Sequence, residues 1–245
     1  MDSFVIEISG LCVCVQPMFA STRDYCRKYL STCTPDCYVE VTEGDLIYEQ
    51  QMLDMEAAEE GLRPRKFTGP FLERASIQRK VADILIARNT ILVHGSTVAV
   101  DGDAYLFTAA CGTGKSTHTR FWCETFGDRA VMVNDDKPFL QITPRGVTAF
   151  GSPWSGKHGL DSNIAVPLKG ICILHRGFEN TIRQITANDA RAMLLHQSHA
   201  PDNAAMRTQV SALVEELMEK VPLWEMMCTK DPIAAKIAFD AMSSV

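Results

Sequence analysis

The residues with the clearest chemical purpose lie in one short stretch, Ala109-Ala110-Cys111-Gly112-Thr113-Gly114-Lys115-Ser116. It matches the pattern of a phosphate-binding loop, with alanine in place of the first glycine. Gly112 and Gly114 allow successive backbone N–H groups to turn inward around phosphate oxygens. A helix starting beside Lys115 points its positive dipole end at the same place. Lys115 can neutralise the outer phosphates, and the Ser116 hydroxyl can join a Mg²⁺ shell. A chance Gly-rich turn before a helix is the alternative. Here a β-rich run, Ala104–Thr108, leads in and a helical run, Lys115–Phe126, leads out, which is the context the motif requires. The expected cofactors are therefore ATP and Mg²⁺, with Ala110, Cys111, Gly112, Thr113, Gly114, Lys115, Ser116 and Thr117 along the phosphates.

A second chemical feature is the pair Asp135-Asp136, which ends the β-rich run Ala130–Val133. A helix of about three turns carries the chain roughly 18 Å away from the loop, and a five-residue strand returns it by about 17 Å. If that strand runs parallel to Ala104–Thr108, both carboxylates reach the loop's edge of the sheet, where ligands bind in such folds. Beside Mg·ATP, one carboxylate would organise the metal's waters and the other would take the proton of an acceptor hydroxyl. Otherwise the pair is a solvated turn.

The turn Asp101-Gly102, flanked by Ile91–Val100 and Ala104–Thr108, reads as a two-residue type I′ hairpin. In that register His94 lies opposite Ala109, within reach of phosphate or metal, the alternative being a satisfied core histidine. Gly151-Ser152-Pro153-Trp154-Ser155-Gly156-Lys157-His158-Gly159 concentrates flexible backbone, an aromatic, hydroxyls and two cations. Trp154, Ser155, Lys157 and His158 are accordingly expected to contact substrate or phosphate; a Trp154 that plugs the core is the competing reading. His196 and His199, three apart on a helix, read as surface residues without further metal partners.

These residues need a frame. The chain has 245 residues, 46% hydrophobic and 22% charged, enough for one core with a smaller appendage. In the first 65 residues, Phe4–Val15, Tyr38–Val41 and Leu46–Tyr48 read as β and Ser21–Leu30 as helical, with Glu56–Lys66 as a linker. The expected division is thus a small α/β unit over 1–65 and a catalytic domain over 66–245. In the second part, helices are expected from Pro70 to near Asn89, from Lys115 to Phe126 with Gly127 as its stop, and from Thr186 in a capping box to Gln197. Ala204–Glu219 and a segment opened by Asp231-Pro232 add two more. Gly170–Leu174 and Leu223–Cys228 are strands.

The formal charge of −6 argues against nucleic acid or an anionic membrane as partner. No apolar run approaches the roughly 18 residues of a span, and the acidic N-terminus does not read as a signal peptide. The nine scattered cysteines, none in a Cys-x-x-Cys pair, read as reduced thiols of a cytoplasmic protein.

Taken together, His94-Gly95, the hairpin leading into the loop and Asp135-Asp136 about twenty residues beyond it resemble the HPr serine kinase/phosphorylase group, over Ile91–Leu174. That group shares its nucleotide fold with phosphoenolpyruvate carboxykinase. The chain is more closely similar to the uncharacterised HPr-kinase-like proteins of Firmicutes, which carry similar Val-Asn-Asp-Asp-Lys-Pro and Gly-Ser-Pro-Trp-Ser-Gly segments. The resemblance implies an α/β fold, a P-loop kinase core with a hairpin-rich mixed sheet, and a homo-oligomer. It implies Lys115 on the phosphates, Ser116 and Asp136 on the metal, Asp135 as general base and His94 near the transferred phosphate. Three features depart from that group: its N-terminal domain is longer and of different character, Ala109-Ala110-Cys111 replaces its usual Gly-x-Ser opening, and its Pro-Arg-rich signature beyond the carboxylates is not found. The expected activity is an ATP- and Mg²⁺-dependent kinase acting on a hydroxyl of a small molecule, of the nucleoside or free-serine class. A protein or peptide serine kinase and a non-catalytic nucleotide-binding regulator are the alternatives.

Overall fold

Apolar residues alternate through Phe4, Ile6, Ile8 and again through Leu11, Val13, Val15, and this period of two folds the N-terminus into a hairpin. The computed structural model describes residues 2–59, 61 and 63–244. It forms two compact units, Met1–Ile84 and Leu85–Val245.

In the first unit, β1 (Phe4–Ile8) and β2 (Leu11–Gln16) pair antiparallel, and β3 (Cys37–Glu40) joins β2 in parallel. The helices are α1 (Ser21–Tyr25), α2 (Glu43–Glu59) and α3 (Gly69–Ile86). Leu46–Tyr48, expected as a strand, lies inside α2. A capping box starts that helix: Thr42 N donates to Asp45 Oδ2 (2.8 Å) and Asp45 N to Thr42 Oγ1 (3.3 Å), and the following residues are drawn into it. The expected linker Glu56–Lys66 begins within α2, and its Glu60 and Leu62 lie outside the described residues. Cys12 and Cys33 form a disulfide, with Cα atoms 6.3 Å apart. The expectation of reduced thiols fails at these two positions, because the fold brings together residues that no spacing rule pairs. The bridge also removes the cysteine argument for a reducing compartment.

The second unit is built on one mixed sheet. Its strands are β4 (Thr90–Leu92), β5 (Ser96–Val100), β6 (Asp103–Thr108), β7 (Ala130–Asn134), β8 (Phe139–Thr143), β9 (Gly146–Phe150), β10 (Ala165–Arg176), β11 (Thr181–Gln184) and β12 (Leu223–Cys228). The order is β4-β8-β9-β10-β6-β5-β7, with β12 beside the second half of β10 and β11 outside β12. Its helices are α4 (Lys115–Phe126), α5 (Ala187–Gln197), α6 (Ala204–Lys220) and α7 (Ile233–Met242). Alternate residues of β6 serve two cores. Leu106 packs in a cluster with Leu194, Val214 and Leu217 of α5 and α6, and Phe107 in one with Trp122 and Ala235 of α4 and α7. Helices therefore cover both faces of an α/β sheet. Among the described residues no helix is long and apolar enough to cross a membrane.

Strand directions decide what meets at the sheet's edge. β6, β10 and β12 are mutually parallel, while β5 runs antiparallel to both β6 and β7. β7 therefore runs parallel to β6 with β5 between them, and the C-terminal ends of β6, β7, β10 and β12 share one edge. The hairpin has the expected register, Val100 opposite Asp103 through Ser96 opposite Phe107, across Asp101-Gly102 at φ +54° and +91°. The expected strand Ile91–Val100 is, however, two strands on different partners, β4 on β8 and β5 on β6. The chain crosses between them at Gly95, where a Cβ would sit 2.6 Å from Leu106 Cδ1 and 3.0 Å from Phe107 O. His94 is thus outside the ladder, and its carbonyl accepts from Thr108 Oγ1 (3.0 Å) instead of pairing with Ala109.

Because backbone as well as side chain blocks that space, Gly95→Ala is expected to lower stability by about 1–3 kcal/mol. Urea unfolding of both forms measures this, and an unchanged midpoint would mean the strand crossing yields freely.

Candidate active site

The loop after β6 turns through Gly112 (φ +72°) and Gly114 (φ +121°), backbone that other residues rarely adopt, and enters α4 at Lys115. Lys115 is buried, and its ammonium donates to Ala109 O at 3.2 Å. That leaves two N–H donors for a ligand at the N-terminus of a twelve-residue helix. Burial holds the Lys115 pKa below its ordinary value, and the Asp136 charge partly offsets this. On its outer side the loop is held by Arg176, whose guanidinium donates to Gly112 O and to Thr113 O (3.4 Å).

The two carboxylates at the end of β7 have different surroundings. Asp135 is 5% exposed. Its Oδ1 accepts from Ser96 Oγ (2.8 Å), and Ser96 Oγ lies 2.7 Å from Thr119 Oγ1 on α4. The Ser116 hydroxyl lies on the same side and favours the charged form of Asp135. Burial raises the Asp135 pKa in spite of these hydrogen bonds. Asp136, with a third of its side chain exposed, lies 3.2 Å from His94 Nε2. Burial would raise its pKa, but the His94 hydrogen bond and the charges of Lys137 and Lys115 bring it below the ordinary value. Burial lowers the His94 pKa, outweighing the Asp136 hydrogen bond. Burial thus favours the neutral imidazole, and its Nε2 faces Asp136. Its backbone is fixed too, since His94 N donates to Gln197 O (2.7 Å) and Gly95 N to Asp136 O (2.9 Å).

Lys115, Ser116, Asp135, Asp136 and His94 therefore converge at one edge. The loop 151–159 splits into two parts. Trp154 is 5% exposed and packs edge-on against Phe139 (6.2 Å), and Ser155 is buried with its hydroxyl on Asp161 Oδ1 (2.8 Å). Expected as substrate contacts, both are part of the protein's packing. Lys157 and His158 are exposed, and the His158 charge acts on Asp135. Cys111 and Thr117 lie on the surface of the loop and of the first turn of α4.

Several positions that matter here gave no sequence signal of their own. Asn134 Oδ1 accepts from Asp136 N (2.8 Å) and Lys137 N (2.6 Å), while its amide donates to Ser152 O (2.8 Å). This Asx turn aims the second carboxylate away from the first. Ser96, Thr119, Ser152 and Arg176 act through partners remote in sequence. Only Asn134, next to the acidic pair, carried a readable turn signature.

The donor set suits a magnesium nucleotide. A hydroxyl and a carboxylate supply hard oxygen ligands, and a buried ammonium with free donors faces the loop. The fold and site define a mixed α/β protein with a strand–glycine loop–helix turn flanked by paired carboxylates. No protein-family model matches the chain, and no curated protein does. Among solved structures it is similar to the HPr(Ser) kinase/phosphatase from Coxiella burnetii, at 11% identity over 62% of this chain and 97% of that one, with a TM-score of 0.38. Superposition at that level carries no assignment, and the site is read from its own geometry.

His118, on the second turn of α4, is buried, and its Nε2 accepts from the Trp122 indole N–H (3.1 Å). Burial pushes its pKa down to about 4 from 6.5. A folded pKa below the unfolded one means stability that is complete above about pH 6.5 and is lost as pH falls through that value. From pH 7.5 to 5, His118 is expected to remove about 2 kcal/mol, and His94 acts in the same direction. Urea unfolding at both pH values checks this. His118→Gln, which keeps an acceptor for Trp122, is expected to flatten the dependence, and an equally steep dependence in that variant would reject the assignment.

Proposed function

We propose that this protein is an ATP- and Mg²⁺-dependent kinase that phosphorylates a hydroxyl on a small molecule. The observation that carries the reading is the convergence of Ser116 on Asp135 and of His94 on Asp136 beside the same glycine loop. Backbone N–H groups of the loop and the Lys115 ammonium hold the phosphates. Ser116 and Asp135 would hold the metal, which when bound neutralises charge developing on the phosphate oxygens.

The resemblance to HPr kinases assigns the base to Asp135 and the metal side to Asp136; the contacts support the reverse division. Asp135 is buried with its Oδ1 on Ser96 Oγ, which makes it the less accessible of the two to an incoming acceptor. Asp136 is partly exposed, and a neutral histidine orients it. Asp136 accepts the proton of the acceptor hydroxyl as that oxygen bonds to the terminal phosphorus. The bridging oxygen then leaves with the diphosphate. His94 steers the Asp136 carboxylate through their 3.2 Å contact.

Asp136→Asn is expected to lower turnover by roughly 10²-fold or more while ATP binding in Mg²⁺ stays within about twofold. Asp135→Asn is expected to weaken Mg²⁺-dependent ATP binding. ATP consumption across pooled nucleosides, amino acids, sugars and seryl peptides, with calorimetric titration of ATP, measures both. Acceptor-dependent turnover from a metabolite pool supports the reading. Turnover with peptides alone makes the protein a peptide kinase, and ATP binding without any acceptor-dependent turnover makes it a nucleotide sensor. Unchanged turnover in Asp136→Asn returns the base to Asp135.

A further inference from the structure

The carboxylates and Lys115 account for one end of a nucleotide. A cavity of about 340 Å³ opens on the other side of the same loop, within the size range of about 300–1,000 Å³ of ligand sites. One wall is Gly112 and Gly114 with Thr117 and Phe121 from the first two turns of α4. Facing them, the loops after β10 and β12 contribute Gly177, Thr229 and Lys230. His94, Lys115, Ser116, Asp135 and Asp136 do not line it. A polyphosphate lying across the start of α4 with its terminal group at the carboxylates therefore has its inner end directed at this cavity.

The two far loops are tied together, since Thr229 N donates to Asn180 Oδ1 at 2.8 Å. Between Gly177, on the cavity wall, and Asn180 the chain presents Phe178, whose side chain is fully exposed. A lone exposed aromatic is ordinary on a protein surface. This one directly follows Gly177 of the cavity wall, and its full exposure leaves the ring unused by the fold. A planar apolar face there suits a nucleobase.

We propose that this cavity takes the nucleoside of the bound nucleotide, with Phe178 stacked on the base and Thr229 and Lys230 facing the ribose and the inner phosphate. The inference rests on the kinase reading and adds to it the elements that recognise the base. Stacking on any base has the same physics, so Phe178 supports affinity for a nucleotide over a bare polyphosphate rather than a choice among bases.

The test compares MgATP with magnesium tripolyphosphate, which lacks the nucleoside, by calorimetric titration of wild type and Phe178→Ala. The exposed position makes the variant safe for folding. ATP binding is expected to weaken roughly tenfold in Phe178→Ala with tripolyphosphate binding unchanged. In Phe178→Trp, indole fluorescence is expected to change with ATP and not with tripolyphosphate. Unchanged ATP affinity in the alanine variant, or equal loss for both ligands, overturns the base site and leaves the kinase reading intact. A wild-type protein that binds neither ligand overturns the kinase reading and the inference with it.

Discussion

The buried Asp135 carboxylate, with the hydroxyls of Ser96, Thr119 and Ser116 around it, joins three elements that the chain visits separately. Ser96 opens β5, Asp135 follows β7, and Thr119 and Ser116 lie on the first turns of α4. A carboxylate taken from water without partners would be neutralised or would unfold its surroundings. Hydroxyl donors make its burial tolerable, and because they come from different elements they also fix the start of α4 against the sheet. The glycine loop is thereby held at both ends, from within by this knot and from outside by Arg176 on its carbonyls. The loop also closes on itself, with Thr113 N donating to Ala110 O (3.3 Å), so a ligand meets little ordering cost there.

That knot also separates two neighbouring carboxylates that sequence treats as equivalent. Both carboxylates lie just beyond β7, and Asn134 separates them by turning the backbone at Asp136 and Lys137. One carboxylate ends in a dry pocket of hydroxyls and the other in a half-exposed pocket with an imidazole and two ammonium groups. The opposite pKa directions of Asp135 and Asp136 are the electrostatic expression of that division.

Much of this arrangement is readable from local pattern. The hairpin register follows from Asp101-Gly102, the helix α4 from the run between Gly114 and Gly127, and the return of β7 to the loop's edge from helix and strand lengths alone. What escapes is what depends on distant partners. The split of Ile91–Val100 at Gly95 is set by the side chain of Leu106 and the carbonyl of Phe107, which no window around Gly95 contains. Strands β8, β9 and β11 were not anticipated, and Leu46–Tyr48 looked like a strand until the Thr42–Asp45 box is counted. The Cys12–Cys33 bridge closes 21 residues whose spacing matches no metal or redox motif. For the site, residue types were legible and roles were not. Which aspartate faces Ser116 and which meets His94 is decided by Ser96, whose partner is remote in sequence, and by Asn134, whose turn signature does not say which carboxylate it turns.

The loop 151–159 shows how one segment serves both structure and site. Its first half is interior: Ser152 bonds the Asn134 amide and the Lys137 carbonyl (2.7 Å), and Trp154 locks against Phe139. This half supports the turn that aims Asp136. From Gly156, which passes so close that a Cβ would lie 3.2 Å from that of Asp136, the chain emerges with Lys157 and His158 in solvent. The exposed Lys157 and His158 thus lie toward the carboxylate end of the site, while Thr229 and Lys230 line the opposite end beside Thr117. A ligand lying across the start of α4 would meet rigid groups at its centre and exposed side chains at both ends. Rigid groups at the centre suit phosphate, whose shape does not vary. The exposed residues beside Asp136 are those free to change with the acceptor without disturbing the knot beneath them.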